Sequence, residues 1–409
     1  MSQPLKTLII GKVWPEPGSS AAGSRMMQLI ETFMGEGWDI TFATAAGESE
    51  FAEDLESMGI KTANIQINDD SFDEFIRQLN PDIVLFDRFM TEEQFGWRVA
   101  EHCPDALRVL DTEDLHCLRH GRHKAVKENR EFQENDLFSD HAKREIASIY
   151  RCDLSLIISD YEMNLLRDVF GVSEDLISYA PFMLELVYDS AWRGFDEREG
   201  FISIGNFLHE PNLDAVLYLK STIWPLIRRE LPEAELKVYG AYPSQKVLQL
   251  HDPEEGFLIM GRAENADEVM NNARVTLAPL RFGAGLKGKL IKAMQCGTPS
   301  VTTEVGAEGM HGELSWPGAI ENNPEEFAKA AIRLYREKPD WSRAQKKGVQ
   351  VINQRFAKKE ISPALIRRIR EIKEGQDRHR RKNFTGAMLT HHTLASTKYM
   401  AKWIEAKNK

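Results

Sequence analysis

The residues best suited to chemistry stand in one loop, Arg281-Phe282-Gly283-Ala284-Gly285-Leu286-Lys287-Gly288-Lys289. It follows an apolar run and opens a helical pattern, so it occupies a strand-to-helix turn. Glycines there let backbone N–H groups approach a ligand, and the helix dipole favours an anion. Arg281, Lys287 and Lys289 add charge-assisted donors suited to a diphosphate. The spacing is not the G-x-x-x-x-G-K-[ST] of ATP-hydrolysing enzymes, which argues against that class. A plain glycine-rich turn with solvated lysines is the competing reading, and the loop alone leaves both open. A second loop, 17–23, carries Gly18, Ser19, Ser20 and Gly23 before a helical pattern. It fits either a phosphate or substrate-oxygen cradle or an ordinary helix cap. A third run, VLDTEDLHCLRHGR, places Asp111, Glu113, Asp114, His116 and Arg119 after a buried strand, at the mouth of a sheet. It has no HxxxH or facial-triad spacing, so no metal is expected. His391 and His392 are adjacent rather than on one helical face, which fits a structural role.

These loops need a scaffold, and the pattern supplies one. Short runs rich in Ile, Val and Leu (5–10, 39–44, 61–67, 82–86, 107–111, 154–159, 176–180) alternate with amphipathic stretches such as 24–35. Runs apolar throughout suit strands buried on both faces of a parallel sheet. The rhythm breaks between Met183 and Gly200 and restarts with runs at 201–204, 235–239, 257–260, 275–279 and 300–302. The reading is α/β, with two Rossmann-like doubly wound parallel-sheet domains, 1–185 and 200–354, and a basic helical extension, 355–409. Pro225 falls inside the helical stretch 212–230 and should kink it. In the extension, Met388, Leu394, Tyr399, Met400, Trp403 and Ile404 call for burial, so it is expected to pack back on the body.

The loop 281–289, followed by A-M-x-x-G-T-P and G-A-E-G, resembles the donor-binding half of GT-B glycosyltransferases, in the large family-4 group of retaining enzymes. FISIGNFLHEPNLDAV, with Gly205, Asn206, His209 and Asn212, is similar to that group's entry into its second domain. Tyr239-Gly240-Ala241 and Gly261-Arg262-Ala263 resemble its next two strand ends, and IISDYEMNLLRD a helix start late in its first domain. The resemblance implies transfer of a sugar from a nucleotide-diphosphate donor to a glycan, lipid or small-molecule acceptor, with retention, across a cleft between two facing domains. It implies that Lys287, Lys289 and Arg281 stabilise the departing diphosphate while Gly283 and Gly285 supply close backbone. Gly261, Arg262 and Ala263 would flank the base, and Gly205, Asn206, His209 and Gly240 would complete the donor side. Glu113, at a position where the group often carries His, and His116 would contact the reacting sugar or acceptor. No cofactor is implied beyond the nucleotide sugar. The sequence departs from the group at Ala284 and Lys292, where two glutamates usually stand, and Glu304 and Glu308 are the nearby substitutes.

Composition bounds the rest. The chain has 409 residues, 42% of them hydrophobic and 28% charged, as in a globular protein of two or more domains. From Arg355 to Lys409 the balance is +10, leaving −21 on the remainder. An acidic body argues against nucleic-acid binding. The basic tail suits contact with the body, with an anionic lipid surface or with a phosphorylated acceptor. Four cysteines without CxxC spacing, and an N-terminus that lacks a leader pattern, fit a cytoplasmic protein. Two other functions share this architecture: a nucleotide-sugar binding or assembly protein without turnover, and a nucleotide-sugar epimerase.

Overall fold

The structure is a computed structural model that describes residues 4–188 and 192–408; the side chains at 392–394, including His392 and Leu394, lie outside the described residues. Among the described residues, thirteen strands form two parallel sheets. The first contains β1 (Lys6–Gly11), β2 (Asp39–Thr44), β3 (Lys61–Asn64), β4 (Ile83–Asp87), β5 (Leu107–Asp111), β6 (Leu154–Ile157) and β7 (Ile177–Tyr179), in the order β3-β2-β1-β4-β5-β6-β7. The second contains β8 (Glu199–Ile204), β9 (Leu236–Tyr239), β10 (Phe257–Gly261), β11 (Ala273–Ala278), β12 (Ser300–Thr302) and β13 (Gly318–Ile320), in the order β10-β9-β8-β11-β12-β13. Apolar clusters cover both faces of each sheet, which is why β1, β4 and β5 read as unbroken apolar runs. β13 escapes the sequence pattern because it is three residues long and begins with glycine.

The order of each sheet reverses at one place, between β1 and β4 in the first and between β8 and β11 in the second. In open α/β sheets the crevice at that reversal, outside the carboxyl ends of the strands, is where ligands bind. Pro225 opens the helix Trp224–Glu230, and the preceding Leu219–Ile223 widens into a π-turn; this is how the expected kink is made.

The chain crosses between domains at two adjacent points. Leu184 N donates to Phe356 O (2.7 Å), and Lys358 N donates to Leu184 O (2.8 Å). Beyond that crossing, the helix Lys358–Glu374 lies on the first domain, with Leu365, Ile366, Ile369 and Ile372 inside its core. The C-terminal helix Phe384–Asn408 packs on the first-domain helices Phe89–His102 and Asp140–Arg151. Arg380 pairs with the buried Asp153 (2.7 Å). Ala401 is buried and Ile404 half-buried, yet Met388, Tyr399, Met400 and Trp403 remain exposed. The expectation of burial for those four is therefore corrected: the helix turns its small residues, not its large apolar ones, toward the body.

Candidate active site

Sequence places the first-domain half of the site at the ends of three strands. β1 runs out at Lys12, β4 at Asp87-Arg88, and β5 at Asp111 to Asp114. Arg88 and Glu113 both have positive φ (69° and 60°), conformations that cost side chains other than glycine about 1–3 kcal/mol. Such strain clusters at functional sites. Asp111 is wholly buried, held by Arg25 Nη1 at 2.6 Å, while Arg25 also donates to Ala180 O (2.6 Å). This corrects its placement at the mouth: Asp111 and Arg25 brace the turn from beneath. Glu113 sits 3.6 Å from Arg25, and its Oε1 is buried without a hydrogen-bond partner. Burial, reinforced by Asp111, pushes its carboxyl up to about 8.

Asp114 forms an ion pair with Arg119 and lies 3.4 Å from His116 Nε2. Burial opposes its charge, but Arg119, His116 and His209 hold the carboxyl below the usual range. His116 opens the helix His116–Lys127 beneath Phe89, and desolvation lowers it to about 3, so it is neutral at physiological pH. Glu145 caps that helix, accepting from His116 N (2.9 Å) and Cys117 N (3.0 Å).

The second-domain half faces it from the ends of β8 and β11. Gly205 and Asn206 leave β8, with Asn212 Nδ2 on Asn206 O (2.9 Å). His209 reaches solvent yet stands deep among protein groups, which lowers it to about 4. After β11, the loop lies across the domain boundary. Arg122 of the first domain donates to Gly283 O (2.9 Å) and to both oxygens of Glu308 (2.8 and 2.6 Å). Gly285 N donates to the buried Glu162 (2.9 Å), which also accepts from Leu115 N (2.9 Å). Gly285 has φ 61°, and a Cβ there would stand 2.8 Å from Asp114 Cβ, so only glycine fits. Lys287 stands at the N-cap position of the helix Gly288–Gln295, and its ammonium donates to Gly285 O (2.6 Å). Lys289, in the first turn, forms no ion pair or hydrogen bond among the described residues and lies close to Gly205. Desolvation lowers both lysines to about 8, which leaves them mostly protonated at neutral pH.

Thus Lys289, Gly205 and His209 come together with Asp114, His116, Arg119, Lys12 and Arg88, at the facing reversal points of the two sheets. Other expected residues stand elsewhere. Arg281 turns outward to Asp214 (2.9 Å) and the Tyr218 ring. Phe282 stacks on His123, with centroids 4.3 Å apart. Leu286 joins the apolar seam between the domains. Ala284 is buried against the first-domain core, where a carboxylate would be desolvated, and Lys292 pairs with Asp267 (2.7 Å). In the loop 17–23, Ser20 Oγ accepts from Gly23 N (3.0 Å) and Ser19 binds Glu16, so the helix-cap reading describes it. Gly18 faces Arg262, which lies over Phe51 (4.3 Å), and Tyr242 donates to Glu16 (3.1 Å), closing one edge of the cleft. Gly240 N donates to Gly261 O (2.8 Å), with Arg262 and Ala263 half-buried beyond it. A cavity of about 350 Å³ beside Asp160, Tyr161 and His311 shares only Glu304 and Glu308 with the expected residues. Among the described residues no group of three or more His, Cys, Asp or Glu is placed to hold a metal ion. Lys12, Arg88, Arg122 and Glu162 were not expected; for Glu162 the signal was Ser159 three positions before it.

Residues 198–337 match the family model of the glycosyl transferases group 1. An uncharacterised 44.6 kDa protein of the cps region of Klebsiella pneumoniae is 26% identical over 168 residues. That match takes in 38% of this chain and 42% of the relative, so the chain spans less than half of it. Among solved structures, TarM of S. aureus, bound to UDP and alpha-GlcNAc-glycerol, superposes with a TM-score of 0.69 at 9% identity over 89% of this chain and 99% of its own. Anabaena HepE with UDP and glucose gives 0.68 at 12% over 90% and 100%, and a Thermosynechococcus elongatus sucrose-phosphate synthase 0.69 at 14% over 91% and 100%. At these identities the likeness is one of fold. The chain has the two-domain GT-B fold of these glycosyltransferases. Family model and fold together support glycosyl transfer.

Proposed function

We propose that the chain moves a glycosyl group from a nucleoside diphosphate sugar to a glycan, lipid-linked or small-molecule acceptor, with retention of configuration and without a metal. The observation that carries this reading is Lys289, a desolvated cation without a carboxylate partner among the described residues, in the first turn of the helix that follows β11. A diphosphate there meets Lys289, the helix dipole and, after a small shift, Lys287. As the bond from the anomeric carbon to the phosphate oxygen breaks, negative charge builds on the leaving diphosphate. Fixed cations in a desolvated cleft stabilise that charge more than water does. Across the cleft, Glu113 in its protonated form and neutral His116 serve the reacting sugar or the acceptor hydroxyl. Ala284 favours a second reading, nucleotide-sugar binding without turnover, because glutamate is usual there in the similar enzymes.

TarM and HepE were solved with UDP, so uridine donors head the panel. Nucleoside diphosphate release is measured for each donor with candidate acceptors, and the product anomer is read by NMR. Acceptor-dependent release with a retained anomer is expected. Binding without release supports the second reading, and conversion of the donor sugar without any acceptor supports an epimerase.

A further inference from the structure

The C-terminal helix Phe384–Asn408 leaves a line of large apolar side chains in solvent. Phe384, Met388, Tyr399 and Trp403 follow one another at intervals of four, eleven and four residues, which places them on one side of a helix of 3.6 residues per turn. Tyr399 is 70% and Trp403 59% exposed, and Met400 flanks them. The opposite side is the packed one. A Cβ at Gly386 would run into Tyr150 O, Ala401 is buried, and Glu405 pairs with the buried Arg98. Glu405 is the helix's only acidic residue, so the outer side carries no negative charge. It does carry Lys402, which forms no ion pair among the described residues, and Lys407, whose ammonium lies 5.3 Å from the Trp403 ring.

We infer that this outer side seats on an anionic lipid surface, lying in the interface with its aromatic rings among the headgroups. Three features favour lipid over a protein partner. Trp and Tyr join an apolar ring to a polar edge and concentrate at membrane interfaces. Cations interleaved with apolar residues, without acids, are the pattern of helices that lie on anionic membranes. The stripe is one helix wide, a line rather than the roughly 800 Å² per partner of a stable protein interface. The remainder of the chain carries −21, which repels an anionic surface everywhere except through this tail and so orients the molecule. No helix among the described residues is long and apolar enough to cross a membrane, so the contact lies on the surface. The inference stands on exposure and charge alone and does not depend on which sugar is transferred.

The full chain is co-sedimented with vesicles of phosphatidylcholine alone and of phosphatidylcholine with one third phosphatidylglycerol. Binding is expected only to the anionic vesicles. The double substitution Tyr399→Ser with Trp403→Ser should weaken it at least tenfold, and Lys402→Ala or Lys407→Ala about fivefold each. All these side chains are exposed, so melting temperatures should not change. Absence of binding to anionic vesicles, or equal binding by the double serine variant, overturns the inference. A concentration-dependent dimer in sedimentation velocity that the serine variant abolishes also overturns it, and assigns the face to a second copy.

Discussion

Arg122 and Glu308 join the two domains through a nearly buried pair, and removing one partner strands the other. Arg122 keeps three lesser contacts when Glu308 is lost, the Gly283 carbonyl and the Tyr161 and Phe132 rings. Breaking a buried pair costs about 3–5 kcal/mol. Glu308 retains 16% side-chain exposure, and the remaining contacts soften the loss, so we expect about 2 kcal/mol for Glu308→Leu. At roughly 2–4 °C per kcal/mol for domains of this size, the apparent melting temperature should fall by about 4–8 °C. Arg122→Met should cost a similar amount, because it leaves a carboxylate in the seam. The double variant should lose only about 1 kcal/mol, a coupling of about 3 kcal/mol, since neither charge is then stranded. Differential scanning calorimetry of the four proteins is the assay. Strictly additive losses, or single variants within about 1 °C of the parent, would refute the claim that this pair ties the domains together.

Two further outcomes follow from the seam and its buried acids. Glu145 is wholly buried, and desolvation raises it from 4.5 to about 7, so the folded state holds its proton where the unfolded state has released it. Its contribution is intact below pH 4.5 and is lost as pH rises through about 7; Glu145→Gln, whose single amide oxygen replaces two acceptor oxygens, should lower stability at every pH but remove up to about 3 kcal/mol of that decline, read from urea midpoints between pH 4.5 and 8. An unchanged slope contradicts the assignment. Gly285→Ala must bear a left-handed backbone and push Cβ toward Asp114, so it should lower the melting temperature by several degrees and raise the radius of gyration as the domains part. A variant with the parental scattering curve would contradict that geometry.

Much of this was legible from period and punctuation. Continuous apolar runs such as Leu107–Asp111 announce strands covered on both sides, and the glycines and lysines of 281–289 announce a strand-to-helix turn able to receive an anion. What escaped depends on contacts distant in sequence. Nothing near Arg122 says that its partner is Glu308, and nothing near Glu162 says that it accepts from Gly285, because each bond closes only when the domains meet. Asp111 looks like a site carboxylate until Arg25, 86 residues earlier, is seen beneath it. Arg281 carries the right charge at the right spacing, yet Asp214 is nearer than the cleft. The exposed face of the last helix was misread for a related reason: Met388, Tyr399, Met400 and Trp403 are apolar enough to demand cover, and sequence does not say that the cover must come from the body.

The central claim is that Lys289 awaits a diphosphate, and calorimetric titration of UDP and the other nucleoside diphosphates into the parent and Lys289→Ala tests it most directly. A charge-assisted hydrogen bond contributes about 1.5–3 kcal/mol, so one nucleotide should bind the parent and lose about 10–150-fold in affinity in the variant. The unliganded variant should melt no lower than the parent, since it sheds a desolvated cation that has no partner. Equal affinity in both proteins, or no nucleoside diphosphate binding at all, would contradict the account.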